Sequence, residues 1–199
     1  MALPFDTDRI RAVIGESVST KLHLAEHCAL EIQRCGEILI SAAQAARKIL
    51  LCGNGGSAAD SQHIAAELVI RFRGSVERRA IAALALTVDT SAITACGNDY
   101  GFDRVFARQV EAFGTNGDVL VALSTSGTSR NVVEAVNVAN SRGMKTVGLL
   151  GGNGGTLRDL CTSSVIIPSS VTARIQESHI LVGHIWCEMI EEALFPELF

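Results

Sequence analysis

The sequence predicts a doubly wound α/β fold, a five-stranded parallel sheet flanked by helices, and three observations predict it. Five short β-prone runs recur at 48–52, 80–86, 118–123, 145–150 and 164–168, with helical segments between them. Each run is apolar throughout instead of alternating, as strands covered on both faces are. Glycine turns follow the strands, and in this architecture ligands collect where such turns open from strand carboxyl ends into helices.

Residues from 6 to about 46 read as helix. Ile10, Val13, Ile14 and Val18 fall on one stripe and Ile32, Cys35, Ile38 and Leu39 on another, which predicts two helices before the first strand. An apolar stripe on a leading helix needs a covering surface, and a neighbouring subunit or the chain's own sheet would each provide one. The run Lys48-Ile-Leu-Leu-Cys52 is the first strand; it meets the turn Gly53-Asn-Gly-Gly56 and then a helix carrying His63 and Glu67. Ala80-Ile-Ala-Ala-Leu-Ala-Leu86 is the longest apolar stretch and reads as a buried strand, far short of the roughly 20 residues that span a bilayer. The third strand, Asp118-Val-Leu-Val-Ala-Leu123, leads through a hydroxyl-rich turn into a helical run at 130–140. After the fourth and fifth strands a final helix, roughly 173–194, carries Ile175, Ile180, Leu181, Ile185, Ile190 and the lone Trp186 and closes the domain.

At 199 residues with 48% hydrophobic side chains the chain supports one well-buried core, so a single domain spanning 1–199 is expected. The three prolines are scattered and no Gly/Ser tract marks a linker. A net charge of −4, a pI near 5.7 and dispersed basic residues exclude a nucleic-acid groove. The start, Met-Ala-Leu-Pro-Phe-Asp, lacks a basic flank, an apolar core and a small-residue cleavage site, which predicts a cytoplasmic protein with no membrane partner. The six cysteines, Cys28, Cys35, Cys52, Cys96, Cys161 and Cys187, form no C-x-x-C pair and sit in apolar runs. Reduced core thiols behave this way, so neither disulfides nor a cysteine-based zinc site is expected.

Two turns are candidates for anion binding. In Gly53-Asn-Gly-Gly-Ser57 the glycines let the main chain approach an anion at a helix start. No G-K-[ST] follows, which excludes a Walker A loop. Gly53-x-Gly55-x-x-Ala58 also matches the looser dinucleotide fingerprint, with Glu77 the one acid near the expected distance, a weak signal alone. Equally, Ser57-Ala-Ala-Asp60 reads as a capping box that needs no ligand. The second turn, Ser124-Thr-Ser-Gly-Thr-Ser129, places five hydroxyls around one glycine before a helix, suited to a phosphate monoester whose oxygens accept from hydroxyls and amides. A plain Thr128 N-cap is its structural alternative. Gly151-Gly-Asn-Gly-Gly155 has no hydroxyls and reads as a permissive turn.

His63 and Glu67 lie about 40° apart around an ideal helix and about one turn along it, so both address one point, as metal ligand or base. Gln176 and His184 are separated by about 12 Å along a straight helix, so either both lean towards one ion or they serve neighbouring subunits. Asn98-Asp99 reads as a turn, Arg71 and Arg73 as cations at a helix end, Glu77-Arg-Arg79 as a solvated loop. His23, His27 and His179 have no matching partners and receive no role.

Cys52-Gly-Asn-Gly-Gly-Ser57, Gly97-Asn-Asp99, Leu123-Ser-Thr-Ser-Gly127 and Ala173-Arg-Ile-Gln-Glu177 together resemble the sugar isomerase (SIS) family, and within it the branch that acts on phosphorylated heptoses; the resemblance covers nearly the whole chain. It implies a flavodoxin-like SIS domain whose leading helices serve oligomerisation, and homotetramers with sites at subunit contacts. The implied reaction interconverts sedoheptulose 7-phosphate and D-glycero-D-manno-heptose 7-phosphate through an enediol, the first step of ADP-heptose synthesis for lipopolysaccharide. By the same resemblance Ser124, Thr125, Ser126 and Ser129 grip the phosphate. Asn54, Gly55, Gly56, Ser57, Arg71, Asn98, Asp99, Glu67 and Gln176 complete the substrate site. His63, Glu67, Gln176 and His184 match a set for one zinc per subunit, and Glu67 and His184 the acid–base pair. A zinc-bound carboxylate is a poorer base than a free one, so the last two assignments pull against each other. The competing reading is a non-catalytic SIS protein that binds the replication initiator DnaA, suggested by Leu194-Phe-Pro196, but such proteins resemble the isomerase with its catalytic groups replaced, and Glu67 and His184 are both present. A sugar-phosphate sensor would need an attached DNA-binding domain, for which the chain has no room.

Overall fold

The computed structural model describes residues 6–199, so the reading of the first five residues as lacking a leader lies outside it. Strands β1 (Ile49–Cys52), β2 (Ala83–Ala85), β3 (Val119–Ser124), β4 (Lys145–Leu150) and β5 (Ser163–Ile166) form one parallel sheet in the order β2-β1-β3-β4-β5. This is the doubly wound class, in the flavodoxin-like strand order. Leu51 pairs with Ala85 on one side and Val121 on the other, and Val121 pairs onward with Val147. Because side chains alternate across a strand, neighbours divide between two cores. Leu51, Val121 and Leu149 pack with Ile32, Leu39, Leu68 and Trp186 on one face, and Leu50, Leu120 and Leu150 with Val105, Val132 and Val136 on the other.

The first face is covered by α1 (Thr7–Gln44), α2 (Gly56–Val69) and α7 (Thr172–Leu194), the second by α4 (Val105–Phe113), α5 (Arg130–Ser141) and the short α6 (Leu157–Leu160), with α3 (Thr90–Asp99) beside α4. Two leading helices were expected; the structure has one, 38 residues long and started by the Asp6 side chain, which accepts from Arg9 N at 2.9 Å. The change of apolar stripe marks a change of covered face, not a break: Thr20, Leu24, Cys28, Ile32, Cys35 and Leu39 form a continuous buried row. The first stripe runs on separately as Ile10, Ile14, Val18 and Leu22, all exposed.

The buried strand expected at 80–86 is instead three residues long and lies at the sheet edge, where Leu84 is 37% exposed. Apolar composition alone does not distinguish an edge strand from a central one. All six cysteines are unpaired and five are buried. Among the described residues no helix is long and apolar enough to cross a membrane.

Asp118 ties the starts of the two central strands. Fully buried, it accepts from Lys48 N (2.9 Å), Thr115 N (2.9 Å) and Thr115 Oγ1 (2.8 Å), and its carboxylate lies 2.7 Å from Lys48 Nζ. Burial raises its pKa, but the bonds from Lys48 and Thr115 outweigh burial and hold it below the ordinary 3.8. A carboxyl depressed on folding stabilises fully above its unfolded value and loses that contribution as pH falls through the lower folded value. Asp118→Ala is expected to cost about 2–3 kcal/mol at neutral pH, the loss of charge-assisted bonds. Urea melts across the acid range would show the wild type, but not the variant, losing this increment below pH 3.8.

Candidate active site

The chain winds from β1 through α2 to β2 on one side and from β3 through α5 to β4 on the other, which leaves a crevice at the carboxyl ends of β1 and β3. Both candidate anion turns open there. Gly55, at φ 55°, occupies the N-cap of α2, and no side chain caps that helix. The capping box read at Ser57 and Asp60 is therefore not formed: Ser57 is buried inside the first turn, where its carbonyl accepts from Ser61 Oγ at 2.8 Å, and Asp60 Oδ2 is buried without a partner. The Gln176 amide lies against the main chain at Gly56, where a Cβ would make that side chain shift.

The Thr128 N-cap is also absent. Ser129 holds the N-cap position of α5, and its side chain makes no capping bond. The hydroxyls order the turn itself: Ser124 Oγ accepts from Gly127 N at 3.1 Å and lies 3.2 Å from Ser129 Oγ, while Ser126 Oγ accepts from Thr128 N at 3.2 Å. Ser126 is exposed, Thr125 and Ser129 half-buried. Two helix amino termini without side-chain caps thus flank one crevice, an arrangement that favours an anion. The third glycine cluster supports the second turn: Gly127 O accepts from Leu157 N at 3.0 Å, and a Cβ at Gly127 would overlap Gly154 O.

Asn131, which the sequence reading passed over, joins the two turns. Asn54 and Asn131 exchange amide hydrogen bonds at 2.9 and 2.8 Å, and Asn131 is buried. Its only signal in sequence is an asparagine in the first turn of a helix, where local capping is the commoner explanation. A small cavity beside the first turn is lined by Asn54, Gly55, Thr87, Phe102 and Phe106.

Helices α2 and α7 run parallel in close contact: Gly56 meets Gln176, Ile64 meets Gly183, and Phe72, just past α2, meets Glu191. A Cβ at Gly183 would press into the Ile64 side chain, so the glycine permits the approach. Beside that crossing His63 Nε2 lies 2.9 Å from His184 Nε2 and 3.5 Å from Glu67 Oε1. The Phe72 ring lies 5.2 Å from the His184 ring. His63 and Glu67 thus share a point, as the helical spacing predicts, and His184 joins them from α7. Gln176 does not join them in this structure; it stays at the glycine turn, a helical distance of about 12 Å from His184.

Two histidine nitrogens and a carboxylate are a zinc donor set in kind. The spacing found is that of an N–H···N hydrogen bond, about 0.4 Å shorter than two imidazoles on one tetrahedral ion, so the rings would separate slightly to admit it. Among the described residues no group of three or more His, Cys, Asp or Glu is already spaced as a metal centre. Asn98 and Asp99, read as a turn, close α3, where Asn98 Nδ2 donates to Asp99 Oδ1 at 2.7 Å on the exposed surface. Arg71 pairs with Glu77 at 2.8 Å. His179 is fully buried, and burial pushes its pKa down to about 4, which leaves the ring uncharged.

The sequence profile of the SIS domain matches residues 15–151. A phosphoheptose isomerase of a Nitratiruptor species is 56% identical over 168 residues, 84% of this chain and 89% of that protein. The phosphoheptose isomerase of Leptospira biflexa is 48% identical over 186 residues, 94% of this chain and 95% of that one. Among solved structures, the phosphoheptose isomerase of Neisseria gonorrhoeae superposes with a TM-score of 0.87 at 44% identity, covering 93% of this chain and 98% of that one. The Francisella tularensis phosphoheptose isomerase gives 0.89 at 36% identity, covering 93% and 97%.

Gly183→Ala is expected to force α7 away from Ile64 and to cost about 1–3 kcal/mol as an overpacking change. Chemical denaturation measures the loss, and a crystal structure of the variant should show His63 Nε2 and His184 Nε2 beyond hydrogen-bonding distance.

Proposed function

The chain belongs to the SIS domain family, among its phosphoheptose isomerases, and from that premise we propose that it converts sedoheptulose 7-phosphate to D-glycero-D-manno-heptose 7-phosphate by enediol proton transfer. The observation that carries this reading is the position of His63 between the two reacting groups, 3.5 Å from Glu67 on its own helix and 2.9 Å from His184 on the helix packed against it, one of those helices beginning at an anion turn. Moving a carbonyl between neighbouring carbons requires removing the proton beside it, holding an enediol, and returning the proton one carbon away. Glu67 takes the proton and His184 supplies one to the carbonyl oxygen, each such group typically contributing about 10² to 10⁴-fold. The hydroxyls of Ser124, Thr125, Ser126 and Ser129, with the α5 amino terminus, hold the phosphate. Asn54, Gly55, Gly56, Ser57, Arg71, Asn98, Asp99 and Gln176 line the sugar.

Zinc is part of the proposal: His63, Glu67 and His184 would hold it with Gln176 swung towards them, and when bound it supplies a positive charge that polarises the carbonyl. A ligated carboxylate is a poorer base and a ligated imidazole nitrogen has no proton to give, so the ion would not stay on all four residues throughout turnover, and Glu67 and His184 carry the proton when free of it.

Two features support an assembly. Ile10, Ile14, Val18 and Leu22 leave an apolar face uncovered on α1. Glu67 also lies about 16 Å along α2 from Gly56, farther than a seven-carbon sugar phosphate extends. We infer a homotetramer in which the turns of one subunit face the Glu67–His184 pair of another. The product would enter ADP-heptose synthesis for lipopolysaccharide in the cytoplasm. Nothing specific favours the initiator-binding alternative. The Leu194-Phe-Pro196 ending that suggested it has a packing role, since Phe195 is buried with Arg79 5.5 Å from its ring.

Incubation with sedoheptulose 7-phosphate, followed by NMR, tests the function: aldose signals are expected, and an unchanged ketose overturns it. Glu67→Gln should lower kcat at least about 10²-fold, because shape is kept and basicity lost. Ser126→Ala should chiefly raise KM, since the phosphate is gripped alike in ground and transition states. Chelation should slow turnover and zinc restore it; a rate indifferent to both removes the metal from the reaction.

A further inference from the structure

We propose that a buried clamp of Arg78 and Glu191, continued through Phe72, sets the separation of Glu67 and His184, so that these three act as positioning residues; the proposal rests on the isomerase reading above. Arg78 and Glu191 are paired at 2.7 Å with both side chains 0% exposed. The same guanidinium donates to Glu67 O (2.8 Å), Leu68 O (3.0 Å) and Arg79 O (3.1 Å). Glu67 O and Leu68 O belong to the last turn of α2, whose final four carbonyls have no donor within the helix. Arg78 therefore caps α2 at the residue that carries the proposed base.

Glu191 continues the connection to the other member of the pair. Its Oε1 also accepts from Phe72 N at 2.9 Å, and the Phe72 ring rests 5.2 Å from the His184 ring, tilted by 41°. Glu191 lies seven residues beyond His184 on α7, two turns along the same face. One carboxylate oxygen thus joins the cap of Glu67 to the ring that backs His184. Such a buried ion pair is weak evidence of a gain in stability, because replacing one with packed apolar side chains is often neutral or stabilising. Its geometry links the backbone of one reacting residue to the ring face of the other, where an error of about 1 Å can cost 10²-fold.

The test uses full-length Phe72→Leu, Phe72→Tyr, Glu191→Gln and Arg78→Lys, with kcat, KM and the imidazole ¹H–¹⁵N resonances of His63 and His184 as readouts. Phe72→Leu and Arg78→Lys are expected to lower kcat about tenfold or more with KM within about twofold, and to shift the imidazole resonances. Phe72→Tyr, which keeps the ring, should retain wild-type kcat. Folded Phe72→Leu with unchanged kcat and unmoved imidazole resonances overturns the proposal, as does a rise in KM alone. If Arg78→Lys does not fold, Phe72→Leu and Glu191→Gln decide by the same readings. If the wild type itself lacks isomerase activity, the functional reading fails, and the imidazole resonances alone decide whether the clamp positions the pair.

Discussion

Helix α7 lies against α2 as closely as it does because residue 183 has no side chain, and nearly everything at the candidate site depends on that contact. With Ile64 seated at Gly183, His184 and His63 come within hydrogen-bonding distance and Glu67 falls on the same face one turn later. A glycine inside a helix costs roughly 0.5–1 kcal/mol relative to alanine. The packing that surrounds it offsets this, since Val182, Trp186, Cys187 and Ile190 are all buried in the core that includes Leu68 and Ile64. The contact is therefore a product of the fold's main core, not a surface feature added to it.

Helix α2, the other partner in that contact, starts at the sheet's switch point after β1, so one helix carries an anion turn at its start and His63 and Glu67 farther along. The Asn54–Asn131 amide pair links one turn to the helix that follows the other, and the Gly154 segment supports the second turn from behind. Gln176 lies against Gly56 at the start of the α2–α7 contact, and Glu191 reaches Phe72 at its end. The two helices thus form a parallel frame with an anion site at one end and a buried ion pair at the other.

Much of this was legible in the sequence. Wholly apolar runs separated by helical periods point to a parallel sheet because strands covered on both faces favour them, and the five strands lie within a few residues of the expected positions. His63 and Glu67 were placed together by helical geometry alone. What the sequence concealed were features that depend on distant neighbours. The two stripes of α1 belong to one helix, because a pattern shows which residues are apolar but not which surface meets them. The serines and threonines could equally have been caps, and only the backbone shows that α2 and α5 both start without one. Asn131, Gly183 and Arg78 look ordinary locally, and each acquires its role from a partner ten or more residues away.

The phosphate cradle and the Glu67–His184 pair are, on this reading, two ends of one substrate site. A crystal structure of the Glu67→Gln variant soaked with sedoheptulose 7-phosphate is the sharpest test. Phosphate oxygens are expected on the turn between Ser124 and Ser129, with the first two carbons of the sugar against residue 67 and His184 of the neighbouring subunit. Phosphate bound in that turn while those carbons point into solvent or another crevice would show that the two ends do not share a substrate.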